Sequence, residues 1–417
     1  MPAIRKTGKR LNTTFGESIS LLWTRRFGTF WFASLLSNIG TWAQQIAQPW
    51  LLLSLGASPF LIGLDAFALG APVWLLTLVG GVLADRADRR RVIAKFQSIQ
   101  MLCPVLLVVL LLLGMVKPWM VIMLSLVIGI TDALSMPSFQ SIVPTIVERK
   151  QIASGLALNS TQFNLSRILG PAIAGVLLVS VGAVGCFTVS AASYVPFIVV
   201  AVWILPHRVA MPAAGGAFER RQIFSNVLEI VRIPYLRGAL LTVFVTSLLC
   251  APLVTFSPVL VKEAFHGDAG HFSIAVGAFG VGGLFGALML LFVDTAHDRR
   301  YLSSWFAAAY GVALVLVALN PWFWGLAVLL VVGGMAMSVS NISANTILQA
   351  NTPSQLRGQA VSLYMLAMRG GLSIGSLLTG VSVSLLGVNH ALLINGTLAV
   401  AAQVVVGREW LRSPLSK

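Results

Sequence analysis

Charge is scarce in this chain: of 417 residues only 13 are Asp or Glu and 28 are Lys or Arg, so charged side chains make up 10%. A water-soluble domain carries about 25%, and the shortage excludes one. The 57% of apolar residues and the mean hydropathy of +0.88 also exclude disorder, which needs low hydrophobicity and high charge. Cysteine is nearly absent. Cys103, Cys186 and Cys250 all fall inside apolar runs, so there is no disulfide framework and no zinc-ligand spacing. The five histidines, His207, His266, His271, His297 and His390, lie in or near loops, and no nucleophile stands with a base. An enzyme, a metal site and a bound cofactor are therefore not expected. The glycines of the eighth apolar run, Gly277, Gly280, Gly282, Gly283 and Gly286, do not fit a dinucleotide fingerprint and follow no strand; they permit close helix approach instead.

What the chain has in abundance is apolar runs. A helix crossing the hydrocarbon needs about 20 apolar residues at about 1.5 Å each. Twelve stretches fit, near 27–54, 59–84, 92–116, 119–143, 153–180, 183–205, 237–261, 272–293, 301–319, 322–349, 357–386 and 389–407. The first is about twice the length of a signal-peptide core and is followed by others, so it reads as a retained helix. Backbone groups in lipid must bond internally, and these runs are too long and uniform for barrel strands. The expectation is an all-α membrane protein of twelve transmembrane helices.

The formal charge of +15 suggests nucleic acid at first sight, but the basic residues are scattered over short loops in a membrane pattern. With both termini cytoplasmic, only Lys117 and Lys262 face the opposite side, and Arg167 and Arg369 lie within spans; all other Lys and Arg are cytoplasmic. The longest polar interval, His207 to Arg237, separates two sets of six spans and reads as a flexible linker followed by a short amphipathic stretch. The expected organisation is a basic N-terminal segment 1–26, a six-helix bundle 27–206, a cytoplasmic linker 207–236, a second six-helix bundle 237–407 and a cytoplasmic tail 408–417. The halves echo each other. Asp85 with Arg89, Arg90 and Arg91 recurs as Asp294 with Asp298, Arg299 and Arg300, and Gly170 and Gly175 recur at one constant offset as Gly375 and Gly380, the mark of a duplicated bundle.

The run Gly81-Val-Leu-Ala-Asp85-Arg86-Ala-Asp88-Arg89-Arg90 resembles the loop signature of the major facilitator superfamily, with Asp88 in place of a second glycine; its repeat after span eight lacks the leading glycine. The run from Pro137 through Gln140, Pro144, Leu158, Asn159, Asn164, Arg167, Gly170 and Pro171 to Gly175 resembles the branch of enterobactin exporters and macrolide efflux pumps. Span five is also similar to the glycine-proline motif of drug:proton antiporters, although Gly175 comes one residue late. The resemblance implies the major facilitator fold in the bacterial cytoplasmic (inner) membrane, with spans one, four, seven and ten around a cavity and spans five and eight at the seam between halves. It implies a monomer in membrane lipid whose partners are a small-molecule substrate and the proton.

Polar residues within spans are costly and mark candidate pathways. Span one carries Asn38, Trp42, Gln45 and Pro49 on one helical face, with Gln44 and Gln48 beside them; span five carries Asn159 and Gln162; span ten carries Asn341, Asn345 and Gln349 four apart. Asn38, Trp42, Gln45, Gln48, Asn159, Gln162, Asn341 and Asn345 are thus candidates to line a substrate cavity. The competing reading is interhelical hydrogen bonding at about 0.6 kcal/mol per contact, and for Trp42 core packing. The charges within spans, Asp65, Asp132, Arg167 and Arg369, are candidates for proton coupling. Asp132 lies about 13 residues into span four and Arg167 about 14 into span five, matched depths on antiparallel neighbours that predict a pair. Asp65 and Arg369 differ in depth, and no contact is expected between them. A buried acid beside a movable arginine can load and release a proton as the cavity opens alternately; the competing reading is a static structural pair. Gly81, Asp85, Arg86, Arg89, Arg90, Asp294 and Arg299 form the loop signature, read as a conformational latch or as topology-setting charge alone. The resulting function is export of amphipathic small molecules (a drug, macrolide or siderophore) by alternating access coupled to proton influx; the alternative is a lysophospholipid or nutrient facilitator of the same fold.

Overall fold

A computed structural model describes residues 20–205, 227–293, 298–353 and 356–412, and every regular element among them is helical. In chain order the long helices are α1 Arg25–Ser54, α2 Pro59–Arg86, α3 Arg89–Leu112, α4 Pro118–Ile146, α5 Ile152–Trp203, α6 Pro234–Leu249, α7 Pro252–Ala264, α8 Ala269–Phe292, α9 Arg299–Leu319, α10 Phe323–Asn351, α11 Arg357–Leu386 and α12 Val388–Arg412. Most of the expected linker, residues 206–226, lies outside the described residues.

Ten described stretches are long and apolar enough to cross a membrane. The difference from the twelve runs of the sequence has two physical sources. The amides of α1 dilute its apolarity over 30 residues. The fifth and sixth runs continue as one apolar stretch, Ser154–Trp203, broken only at Gly182. There φ is 67° and ψ is −171°, a region that a Cβ would strain, so glycine lets the chain reverse. Gly387, with φ 81°, makes the matching break between α11 and α12, and stands as far from Gly182 as Gly375 does from Gly170. In the second half α6 and α7 form one apolar stretch, Pro234–Ala264, interrupted at Cys250 and Ala251.

Helix starts follow local chemistry. Prolines open α2, α4, α6 and α7, where a missing N–H costs nothing. Asp88 caps α3 and Asp298 caps α9, each accepting a backbone N–H, from Arg90 at 3.1 Å and from Arg300 at 3.0 Å. This capping gives Asp88 a reason to occupy the position of the signature's second glycine. The next residues also correspond: Arg89 donates to the Ser141 carbonyl of α4 at 3.2 Å, and Arg299 to the Thr346 hydroxyl of α10 at 3.5 Å.

Lipid tails are as apolar as leucine, so membrane helices associate through close packing and polar contacts. In the N-terminal set α1 and α3 pack on α5, and α2 packs on α4. In the C-terminal set α8 packs on α10, α9 on α10 and α12, and α6 on α11 and α12. The sets meet where α2 lies on α11 and α5 on α8, with α7 touching α1 and α2. A Cβ at Gly282 or Gly286 would stand 1.9 Å from the Val331 carbonyl or 2.7 Å from that of Met335, so these span-eight glycines seat α8 on α10. Between α5 and α8 the close approach is Gly175 to the Ser273 carbonyl, and between α2 and α11 it includes Gly63 to the Ser376 carbonyl.

The apolar cores show how the sets are joined. One continuous core runs through both at the end bearing Ser58 and Lys262, including Leu52, Ile62, Phe256 and Phe272. At the end bearing Arg89 and Arg299 there are two separate cores, one with Phe27, Phe30 and Phe197, the other with Leu236, Tyr364 and Trp410. The two sets are sealed together at one end and independently cored at the other.

Candidate functional site

An ion pair joins the two sets: Arg369 of α11 donates to the Asp132 carboxylate of α4. Both side chains are 30% exposed, so the pair is neither sealed in core nor fully solvated. Asp132 therefore pairs with Arg369 and not with Arg167, the partner expected from depth. The reason is packing: α4 and α5 are consecutive in sequence, but α4 lies mainly on α2 and α3 while α5 lies on α1, α3 and α8. The packing of α2 on α11 then carries Arg369 to Asp132.

Arg167 turns to the same stretch of α11. Its guanidinium lies 3.2 Å from the Met368 sulfur and beside the hydroxyl of Tyr364, which donates to the Asn341 carbonyl of α10 at 3.4 Å. The next residue after Arg369 is Gly370, where a Cβ would stand 2.0 Å from the Trp74 ring of α2. Residues 364–370 of α11 thus receive α2, α4 and α5 from one set and α10 from the other. Tyr364, Met368 and Gly370 were not among the sequence candidates; none is charged, and only their shared position reveals them.

Asp65 is organised differently. It is buried on α2, with Gln48 of α1 donating to both carboxylate oxygens at 2.9 and 2.7 Å and Ser125 of α4 donating to one at 2.6 Å. The Gln48 amide also donates to the Ser125 hydroxyl at 2.5 Å. Gln48 is therefore tied into a three-helix polar knot. Ser125 stands about two helical turns before Asp132 on α4, a spacing that puts both on one face and is readable from sequence alone.

The other amides divide. Trp42 packs against Gly170, where a Cβ would stand 2.3 Å from its own, so it seats α1 on α5. Asn38 donates to Ser34 at 3.4 Å, and Gln44 accepts from Ser190 at 2.9 Å. Gln45 is half-buried. Asn345 accepts from Gln349 at 3.1 Å. Asn159, Gln162 and Asn341 are buried, and the Asn159 and Asn341 side-chain oxygens and both polar atoms of Gln162 have no protein partner among the described residues. A cleft at the seam is lined by Arg167, Asn164, Phe279, Met337, Ser338 and Ile342; its interior is about 20 Å³, room for roughly one water. Of the loop signature, Arg89, Arg90 and Arg299 are described, whereas the surroundings of Gly81, the side chains of Asp85 and Arg86, and all of Asp294 lie outside what is described. No cluster of His, Cys, Asp and Glu with metal-binding geometry occurs among the described residues.

The family model for transmembrane secretion effectors of the major facilitator superfamily matches residues 17–415. The chain belongs to this family. It is a multi-pass membrane transporter and not an enzyme. Among relatives, the staphyloferrin A transporter of Staphylococcus aureus is 26% identical over 90% of this chain and 94% of its own. Macrolide efflux protein A of Streptococcus pyogenes is 22% identical over 92% and 95%, and the enterobactin exporter of Salmonella paratyphi A is 24% identical over 87% of each. Among solved structures, a nucleoside transporter matches with a TM-score of 0.74 at 14% identity over 93% of this transporter and all of that chain. A bacterial homolog of the human lysosomal transporter Spinster, solved inward-facing, gives 0.68 at 15% identity over 96% and 98%. At such identities these likenesses establish the fold.

Proposed function

We propose that this transporter is a secondary active exporter of amphipathic small molecules, such as a drug, macrolide or siderophore, that works by alternating access coupled to proton influx. The observation that carries the reading is the Asp132–Arg369 pair, which links α4 to α11 across the two sets with both side chains partly exposed. Rocking of one set on the other would separate the pair and leave a carboxylate in a poor solvent for charge, where a proton neutralises it. Return of Arg369 would release that proton. Asp65, already held by Gln48 and Ser125, is the second acid available for the same task, and Asn38, Gln45, Asn341 and Asn345 are the amides of α1 and α10 nearest in kind to a polar lining. The activities of the relatives, efflux of macrolides and export of enterobactin, support the outward direction and do not favour the facilitator alternative.

The arrangement proposed has twelve crossings in two six-helix bundles, counting α5 twice about Gly182 and joining α6 to α7, with residues 207–236 as the linker. Both termini are cytoplasmic in a bacterial inner membrane by the distribution of Lys and Arg, so the separately cored end faces the cytoplasm. The loop signature around Asp85 and its repeat at Asp294 acts as a conformational latch there.

The test is uptake into inverted vesicles with a panel of a macrolide, a catecholate siderophore and a cationic dye under an imposed pH gradient, interior acid. Accumulation that collapses with the gradient and loses its pH response in Asp132→Asn is expected. Accumulation indifferent to the gradient would overturn the coupling, and no accumulation of any compound would overturn export of this class.

A further inference from the structure

We propose that the space between the helix sets at Arg167 recognises an anionic group on the transported molecule, a carboxylate or a comparably acidic oxygen, with Arg167 as the residue that pairs with it. The inference rests on the exporter reading and narrows its substrates to amphipathic anions.

The argument begins with the charges within the spans. Asp132 is engaged by Arg369. Asp65 is held by Gln48 and Ser125 in a knot of α1, α2 and α4. Arg167 is left with the Met368 sulfur, a weak acceptor, and the neutral Tyr364 hydroxyl, and has no carboxylate partner among the described residues. A guanidinium keeps its charge in any protein environment, and basic residues at membrane depth normally face a partner or a wet cavity. Arg167 is therefore a cation within the spans that no carboxylate faces among the described residues, in the conformation described.

Its surroundings fit a ligand with an acidic end and an apolar body. Arg167 lines the seam cleft with Phe279, Met337 and Ile342 supplying apolar surface and Asn164 and Ser338 supplying polar atoms. It precedes Ala174 and Leu178 of the shared core on α5, so it sits on the side of that core where the two sets are separately cored. The cleft itself holds only about one water, so the anionic group would meet the guanidinium at the cleft mouth. A planar fork of N–H donors suits two oxygens of one acid group. The same geometry makes a second, less obvious statement. Arg369 follows Met368, and neutralising Asp132 would release its guanidinium beside Arg167, so the site should then bind an anion more tightly.

The experiment uses the full-length transporter in phosphatidylcholine nanodiscs and two matched probes, dansylglycine and its neutral amide, read by dansyl emission on saturable binding. The acid should bind on the order of tenfold more tightly than the amide, the size of one charge-assisted hydrogen bond. Arg167→Gln should reduce the preference to within about twofold while amide binding persists as the control for folding, Arg167→Lys should keep part of it, and Asp132→Asn should increase it. Equal affinity of acid and amide, or an acid preference that survives Arg167→Gln, would overturn the proposal and leave the exporter reading standing. Absence of saturable binding by either probe would also overturn it, and the vesicle uptake then decides the exporter reading separately.

Discussion

Removing one partner of the Asp132–Arg369 pair should shift the transporter away from the conformation described here, because this contact joins the two sets and depends on where α11 stands relative to α4. The magnitude follows from exposure. Breaking a fully buried pair costs about 3–5 kcal/mol, but each side chain here is 30% exposed and water compensates part of the loss. Polar contacts between membrane helices average about 0.6 kcal/mol in double-mutant cycles and reach about 1.7. A direct ionic contact belongs near the top of that range, so we expect about 1–2 kcal/mol, a change of about 5- to 30-fold in the ratio of conformations.

Spin labels at Lys95 and Tyr301, exposed positions near the starts of α3 and α9, would report the distance between sets at the separately cored end. The native cysteines are buried and suit a labelling background. Asp132→Asn and Arg369→Gln should each change the distance distribution, the double variant should match a single one instead of summing both, and the charge swap should move it back toward the parent. Single effects that add within about 0.3–0.5 kcal/mol would show that the pair persists in every conformation and carries no conformational energy.

Topology is checked by cysteines placed at Lys117, Lys262 and Arg299: an impermeant maleimide added to intact cells should reach the first two and not the third, and the opposite pattern would invert every loop. Gly370→Val should force the Trp74 ring from its seat, lowering stability by about 1–3 kcal/mol and shifting tryptophan emission; an unchanged melting temperature would contradict the close approach. Asp298→Ala should remove the cap of α9 and cost about 1 kcal/mol, seen as faster hydrogen exchange over its first turn. At α8 the backbone N–H of His271, with its side chain, holds Asp268 below the ordinary aspartate value of 3.8, so the cap's stabilisation is present above that value and is lost as pH falls through the lower, folded one. Amide protection at the start of α8 should thus be flat around neutral pH and fall only in acid; loss near neutral pH would refute the assignment.

The helical architecture was legible because lipid imposes a length and an apolarity that composition alone displays, and the glycine pairs Gly170–Gly375 and Gly175–Gly380 stood out in the sequence because they keep one offset, which Gly182 and Gly387 share. The break at Gly182 was legible as a boundary, though not as the single residue that makes it. The partners of the charged residues were not legible. Depth along a span follows from counting, but the direction a side chain faces depends on which helices are neighbours, and consecutive helices need not be. Asp132 and Arg167 match in depth and sit on successive helices, yet α4 turns toward α11 through α2 while α5 turns toward α8. The partners of the amides were not legible for a related reason: Gln48 and Gln45 share a helix and nearly a face, and Gln48 is the one that donates to Asp65.

The convergence on α11 connects these observations. Met368, Arg369 and Gly370 are consecutive, and they meet α5 through Arg167, α4 through Asp132 and α2 through Trp74. Successive residues on a helix point about 100° apart, so three helices of the N-terminal set surround α11 at one level. A rotation or slide of α11 therefore cannot release Asp132 without also moving the neighbours of Arg167 and the seat of Trp74. An anion held by Arg167 and a proton held by Asp132 would then each favour particular positions of the same helix. Under that arrangement coupling needs no wire between two distant sites, because both ligands bias one element, and their mutual influence is set by how differently each binds in the two positions of α11.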